Sequence, residues 1–307
     1  TLSSSSAASD VYKRQPSRAK ARQHKERTTI MKKKILIIGL AVLIAVCGVS
    51  TFFHIKNKVE SDNNKKMYES VAEEVSATEE STTPTPTKAP VNPYTDNTTV
   101  SGGSVNGGAS GGSSESYTTN MNPSANPDMV GWIKINDTVI NYPVMQTKKI
   151  PDYYLNHDFY KNESVYGCPY VQANCDVDAP SDNVIIYAHH MNDGSMFAGL
   201  ENYRSKDYWS SHKTISFDTL NKKANYDILA VFAVPVDESN KNTFKFYEFV
   251  NAYDSEHYSS FISKCKALSF YETGVSAKQG DKLLTLATCE YTNNNGRLVV
   301  VAKRTTR

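Results

Sequence analysis

Apolar and polar positions divide the 307-residue chain into four regimes. The first, to residue 30, is basic and poor in apolar residues. The second, Ile35 to Phe53, runs 19 residues without a charge, close to the ~20 that a helix needs to cross a bilayer. The third begins with Met67, Val71 and Val75 spaced every four residues, which predicts a short helix from Asn63 to about Val75. Glu79 to Thr119 then lacks any period. Thr82-Thr-Pro-Thr-Pro-Thr is stiff, Ser101-Gly-Gly-Ser-Val-Asn-Gly-Gly is flexible, and neither buries enough apolar surface to fold. In the fourth, from Val130, the period becomes that of strands. Eight are expected: Gly131–Ile135, Val139–Met145, Cys168–Gln172, Asn183–His189, Thr214–Asp218, Tyr226–Val234, Lys282–Cys289 and Arg297–Lys303. Two helices interrupt them. One runs from about Met196 to Asp207. The other spans Ser255 to Leu268, where Tyr258, Phe261, Ile262 and Cys265 share a face. Short strands at this spacing predict a mainly β fold, an eight-stranded and closed or nearly closed barrel with peripheral helices.

The regimes give four segments. Residues 1–30 read as an extension outside the natural chain, because Met31-Lys-Lys-Lys-Ile-Leu looks like a start; a cytoplasmic tail is the other reading. Residues 31–55 form a membrane anchor, 56–119 a juxtamembrane helix and linker, and 120–307 a folded domain. The apolar run exceeds the usual 7–15-residue core of a cleaved signal, which favours an uncleaved, single-pass anchor; Gly48-Val49-Ser50 keeps cleavage open. Lysines flank both ends of the run, so the positive-inside count is nearly balanced. A short N-terminus inside and the bulk of the chain outside is the expected orientation. Net charge is only +2, so no nucleic-acid partner is implied. Five cysteines are present: Cys47 in the apolar run, Cys168, Cys175, Cys265 and Cys289. Cys168 and Cys175, seven apart, form either a small disulfide or two buried free thiols. Their neighbourhoods carry no second cysteine or histidine pair, so no metal site is expected.

Candidate chemistry concentrates near the C-terminus. The strand Lys282-Leu-Leu-Thr-Leu-Ala-Thr-Cys289 delivers a cysteine to a loop, and after seven more residues Arg297 opens the next strand. If the two strands pair as a hairpin, thiol and guanidinium meet at one end. A fixed cation favours the thiolate, and the guanidinium fork suits a developing oxyanion. The apolar strand Val184-Ile-Ile-Tyr187 leads into Ala188-His189-His190-Met191, which supplies an acid/base partner. Adjacent histidines on a strand face opposite ways, so only one of them meets the thiol.

These residues resemble the sortases, cysteine transpeptidases of Gram-positive cell surfaces. Thr285-Leu-Ala-Thr-Cys289 matches their Thr-Leu-X-Thr-Cys signature, Arg297 their catalytic arginine, and Tyr187-Ala188-His189 the strand end that carries their catalytic histidine. Ala188 stands where glycine is usual, and His190 where class B members have asparagine. Class B is further supported by Asn126-Pro-Asp-Met-Val-Gly-Trp-Ile133, Tyr142-Pro-Val-Met-Gln146, Tyr154-Leu-Asn-His-Asp-Phe159 and Asp193-Gly-Ser-Met-Phe197, and by the helix at Ser255–Leu268. The resemblance implies a sortase-like barrel outside the membrane, with no cofactor. It implies Cys289, His189 and Arg297 as catalytic residues, and Thr285, Leu286, Thr288 and His190 as substrate contacts. The region Pro235–Phe249 is a further expected contact. The partners it implies are surface proteins bearing a C-terminal sorting signal, cleaved between Thr and Gly, and a peptidoglycan precursor or cell-wall peptide amine. Two other readings remain beside it. One is a hydrolytic cysteine peptidase; the other is a non-catalytic, membrane-tethered surface or pilus-assembly module.

Overall fold

Between Arg18 and Glu80 the sequence holds no proline, and its two glycines lie in the apolar run. In a computed structural model, which describes residues 18–80, 126–290 except 238 and 241, and 295–305, this whole stretch is one helix, α1 (Arg18–Glu80). The expected anchor and juxtamembrane helices are therefore continuous, because nothing in His54–Asn63 breaks a helix. Of the expected linker, Glu79 and Glu80 belong to α1, and the rest lies outside the described residues, as do residues 1–17. The chain divides into two units, Thr1–Asn63 and Asn64–Arg307. In the first, α1 is long and apolar enough to cross a membrane, and its apolar run is exposed along its whole length. In the second, α1 buries Asn64, Tyr68 and Val71, with Met67 packed beside them.

All eight expected strands form: β1 (Met129–Lys134), β2 (Asn141–Met145), β3 (Tyr170–Val171), β4 (Asn183–Tyr187), β5 (Thr214–Thr219), β6 (Asn225–Pro235), β7 (Leu283–Glu290) and β8 (Gly296–Thr305). They close a barrel in the order β1-β2-β3-β4-β7-β8-β6-β5. Closure leaves no free sheet edge. Gly131 is the residue that lets β1 meet β5, since a Cβ there would lie 2.5 Å from the Asp218 carbonyl.

Two pairings are parallel, β2 with β3 and β4 with β7. The β4–β7 pairing explains the unbroken apolar run Val184-Ile-Ile. A strand covered on both faces reads as continuously apolar rather than alternating, and these three residues are buried. The connection from β4 to β7 carries β5, β6 and both other helices. Where one helix was expected at Met196–Asp207, a 3-10 turn at Ala198–Arg204 precedes α2 (Lys206–Ser211). Ser205 divides them: its backbone is extended, and its hydroxyl caps α2 by accepting from the Tyr208 N–H. This is the local bonding by which serine favours helix starts over helix interiors.

The second helix, α3 (Ser255–Leu268), has the expected bounds and buries Tyr258, Phe261, Ile262 and Cys265. Asp254 caps it, accepting from the His257 N–H at 2.7 Å. Phe261 stacks on Phe249 at 4.0 Å between ring centroids, which fastens the segment before α3 to the helix. Replacing Phe261 with alanine removes this stack and leaves a cavity. We expect a loss of about 3–5 kcal/mol in denaturant unfolding of the Asn64–Arg307 unit.

Candidate active site

The antiparallel register of β7 and β8 sets Cys289 directly opposite Arg297. Opposed residues of such a pair project to the same face, with Cβ atoms about 5 Å apart. Both side chains are half-buried. The Arg297 guanidinium is held at the turn, where Nη1 donates to Asn295 Oδ1 at 3.2 Å and to the Gly296 carbonyl at 2.9 Å. Asn295 itself has a φ of 53°, a left-handed turn position that asparagine tolerates.

The third group arrives through the parallel pairing. Tyr187 of β4 stands opposite Ala287 of β7. Beyond the strand the ladder continues, with the Ala188 N–H donating to the Ala287 carbonyl at 3.3 Å. Two residues on from Tyr187 and Ala287 lie His189 and Cys289. His189, Cys289 and Arg297 all line one cleft of about 500 Å³. Asp152 and Leu155 contribute one stretch of its lining, Val236, Phe246 and Tyr247 another, and Tyr170, Gln172 and Tyr187 a third. Tyr170 and Tyr187 are buried enough that desolvation pushes their hydroxyls well above the usual tyrosine range, so they stay neutral. The Tyr187 hydroxyl donates to Gln172 Oε1 at 2.6 Å.

His189 Nε2 lies 2.7 Å from the Leu155 carbonyl. A carbonyl only accepts, so Nε2 carries the proton and Nδ1 is the accepting nitrogen of the neutral ring. The backbone of His189 is fixed too, its carbonyl accepting from the Phe197 N–H at 2.9 Å. The residue before Phe197, Met196, is fully buried with a φ of 56°. A long side chain adopts that backbone only where surroundings enforce it. Here a β-bridge to His190 and the Tyr142 hydroxyl, which accepts from the Met196 N–H at 3.1 Å, do so.

The expected substrate contacts separate. His190 is not part of the cleft lining and donates from Nδ1 to the Cys289 carbonyl at 3.1 Å. Thr285 and Leu286 are 0% exposed, so the expectation that they touch a ligand is corrected. Leu286 belongs to the core, and the Thr285 hydroxyl donates to Asn183 Oδ1 at 2.8 Å beneath the site. Thr288 does line the cleft, but its hydroxyl donates to the Ala188 carbonyl at 2.8 Å, tying β7 to the strand end that carries His189. From the region Pro235–Phe249, Val236, Phe246 and Tyr247 reach the cleft. A larger groove of about 820 Å³ shares this segment through Phe244, Lys245, Glu248 and Phe249 and runs along α3; Cys289, His189 and Arg297 are not in its lining. The contribution of Leu155 escaped sequence reasoning because it acts through a main-chain carbonyl, which any residue supplies. Its only trace is the Tyr154-Leu-Asn-His-Asp-Phe159 motif.

The other cysteines of the domain differ sharply from Cys289. Cys168, Cys175 and Cys265 are buried free thiols, which decides between the two readings of Cys168 and Cys175. Burial pushes the Cys175 thiol up to about 11 and those of Cys168 and Cys265 higher still.

A family description, "Sortase domain", matches residues 133–305 of the chain. Sortase B of Listeria monocytogenes is 35% identical over 184 residues, covering 59% of this chain and 72% of that protein. Sortase B of Staphylococcus aureus is 36% identical over 180 residues, 58% of this chain and 70% of that protein. Among solved structures, a crystal structure of Staphylococcus aureus sortase B superposes with a TM-score of 0.54 at 31% identity, covering 60% of this chain and 84% of that one. A Staphylococcus aureus sortase B–substrate complex also gives 0.54, at 30% identity, over 60% of this chain and 82% of that one.

The contrast in burial predicts a labelling pattern. At pH 8 a thiol titrating near 11 is ionised in only about one molecule in a thousand. A charged alkylating reagent should therefore modify Cys289 in the folded domain, and Cys168, Cys175 and Cys265 only after denaturation. Peptide mapping by mass spectrometry reads the sites directly.

Proposed function

The chain belongs to the sortase family, in class B, and is a cysteine transpeptidase; from that premise we propose that Cys289, His189 and Arg297 exchange a peptide bond at the end of a sorting signal. Cys289 Sγ attacks the carbonyl carbon of the Thr–Gly bond as its thiol proton passes to His189 Nδ1. The C–N bond breaks, Nδ1 gives that proton to the leaving amine, and the acyl group remains on sulfur as a thioester. An amine of a cell-wall peptide then attacks the thioester carbonyl. His189 Nδ1 takes the amine's proton and returns it to sulfur, which leaves as the Cys289 thiol while the new amide forms. With Nε2–H directed to the Leu155 carbonyl, Nδ1 is the nitrogen that gives and takes this proton.

The observation that carries this reading is that the antiparallel register sets Cys289 opposite Arg297, while the parallel register ending at Tyr187 and Ala287 leads His189 into the same cleft. Arg297, opposite the thiol, supplies charge where the oxyanion develops or where the signal's carbonyls lie. Interactions of that kind contribute most when the donor is held before reaction, and its bonds at the turn hold it. The signal lies along the cleft against Asp152, Leu155, Val236 and Tyr247. The apolar run of α1 anchors the enzyme in the membrane, and the catalytic domain works on its outer side, where sorting signals and wall peptides meet.

A hydrolytic peptidase would use the same thiol and imidazole with water as acceptor. Incubation of the chain with a sorting-signal peptide and an amine acceptor separates the two. Transfer predicts an amide product whose yield rises with acceptor concentration; hydrolysis alone, indifferent to acceptor, overturns it. Substitutions test the roles. Cys289→Ala should retain the fold and lose all acyl transfer. His189→Ala should lose at least about 10²-fold in kcat/KM, whereas His190→Ala, which removes a bond to the Cys289 main-chain carbonyl, should lose about tenfold or less. Arg297→Lys keeps the charge but not the fork and should fall about 10²-fold. A near-native rate for His189→Ala with a dead His190→Ala would reverse the assignment.

A further inference from the structure

Tyr68 is the most deeply placed aromatic of α1, 3% exposed. Its hydroxyl donates to the Gly167 carbonyl at 2.7 Å. Gly167 has a φ of +59°, and a Cβ on it would lie 2.5 Å from the Tyr154 carbonyl oxygen and 2.6 Å from that of Leu155. The main chain at Gly167 is thus pressed onto the same Leu155 carbonyl that accepts from His189 Nε2. Only glycine fits there, for reasons of both φ and space.

A second route starts from the same side chain. The Tyr68 ring packs edge-on against Tyr142, with centroids 5.2 Å apart and planes at 81°. The Tyr142 hydroxyl holds the strained Met196 N–H. Met196 bridges to His190, and the next residue, Phe197, holds the His189 carbonyl. One tyrosine therefore backs the loop that fixes the His189 ring and the loop that fixes its main chain.

We propose that Tyr68 is a positioning residue for His189, so that the helix continuing from the membrane anchor completes the catalytic site from behind. The proposal rests on the reading of His189 as the proton carrier. The two tautomers of a neutral imidazole differ little in energy, so the ring needs a fixed acceptor to keep Nδ1 available. The Leu155 carbonyl is that acceptor, and its position depends on Gly167 and, through Gly167, on the Tyr68 hydroxyl.

The test uses the full chain in detergent micelles with a sorting-signal peptide and an amine acceptor. Tyr68→Phe removes only the hydroxyl. We expect kcat to fall about fivefold, the effect of one lost buried hydrogen bond, with KM within about twofold. The ¹⁵N resonances of the His189 ring, assigned by their loss in His189→Ala, should shift from the Nε2–H tautomer toward a mixture. Gly167→Ala, with Tyr68 intact, should shift them the same way. Tyr68→Ala also removes the ring and should lower kcat further; if it fails to fold, Tyr68→Phe still decides. A Tyr68→Phe enzyme with native kcat and native ring resonances, even at a lower melting temperature, means that Tyr68 only fills space and overturns the proposal. Full turnover in His189→Ala would instead overturn the reading of the site itself, and the proposal with it.

Discussion

The site depends above all on the register of β7. Period-two geometry means that slipping this strand by one residue against β8 would send Cys289 to the opposite face. It would also break the pairing that sets the thiol opposite Arg297. Several contacts hold the register. Leu298, Val299, Val300, Val301 and Ala302 are buried in β8, and Leu283, Leu284 and Leu286 in β7. Two side-chain bonds then lock β7 to β4, Thr285 to Asn183 and Thr288 to the Ala188 carbonyl. The threonines of the signature thus help to set where the thiol sits.

Around that register the remaining structure divides the work of shaping the cleft. The 3-10 turn Phe246–Glu248 buries Phe246, and the next residue, Phe249, stacks on Phe261 of α3. Phe244 packs on both Phe261 and Phe232 of β6. The wall bearing Phe246 and Tyr247 is therefore clamped between helix and barrel. Its aromatic side chains make it stiff with few rotatable bonds, which lowers the entropy lost on ordering a bound peptide.

Much of this was legible in the sequence, and the reasons are specific. The strands were readable because their residues are apolar, β-branched and bounded by turn formers, as at Asp193-Gly194 and Asn295-Gly296. α3 was readable because Tyr258, Phe261, Ile262 and Cys265 repeat at helical spacing. The proximity of Cys289 and Arg297 needed only a hairpin. What sequence could not show was anything carried by main-chain atoms or by distant pairing. Leu155 acts through its carbonyl. Thr285 looks like a contact in a string of letters, yet it is fully buried and bonded to Asn183 of β4. Tyr68 reads as one polar position in a charged helix, and only the tertiary fold turns it toward Gly167.

The parallel pairing of β4 with β7 has a consequence for how the protein is made. The intervening chain includes β5, β6 and two helices, so the two strands close a very long loop, the kind of contact that forms late and slowly. Synthesis runs from the N-terminus, and β7 and β8 lie at the far end of the described chain. Until they emerge, the apolar edge of β4 has no partner on that side, which makes the nascent domain prone to misassociation. The side chains of Cys289, His189 and Arg297 therefore share a cleft only once β7 and β8 have closed the barrel.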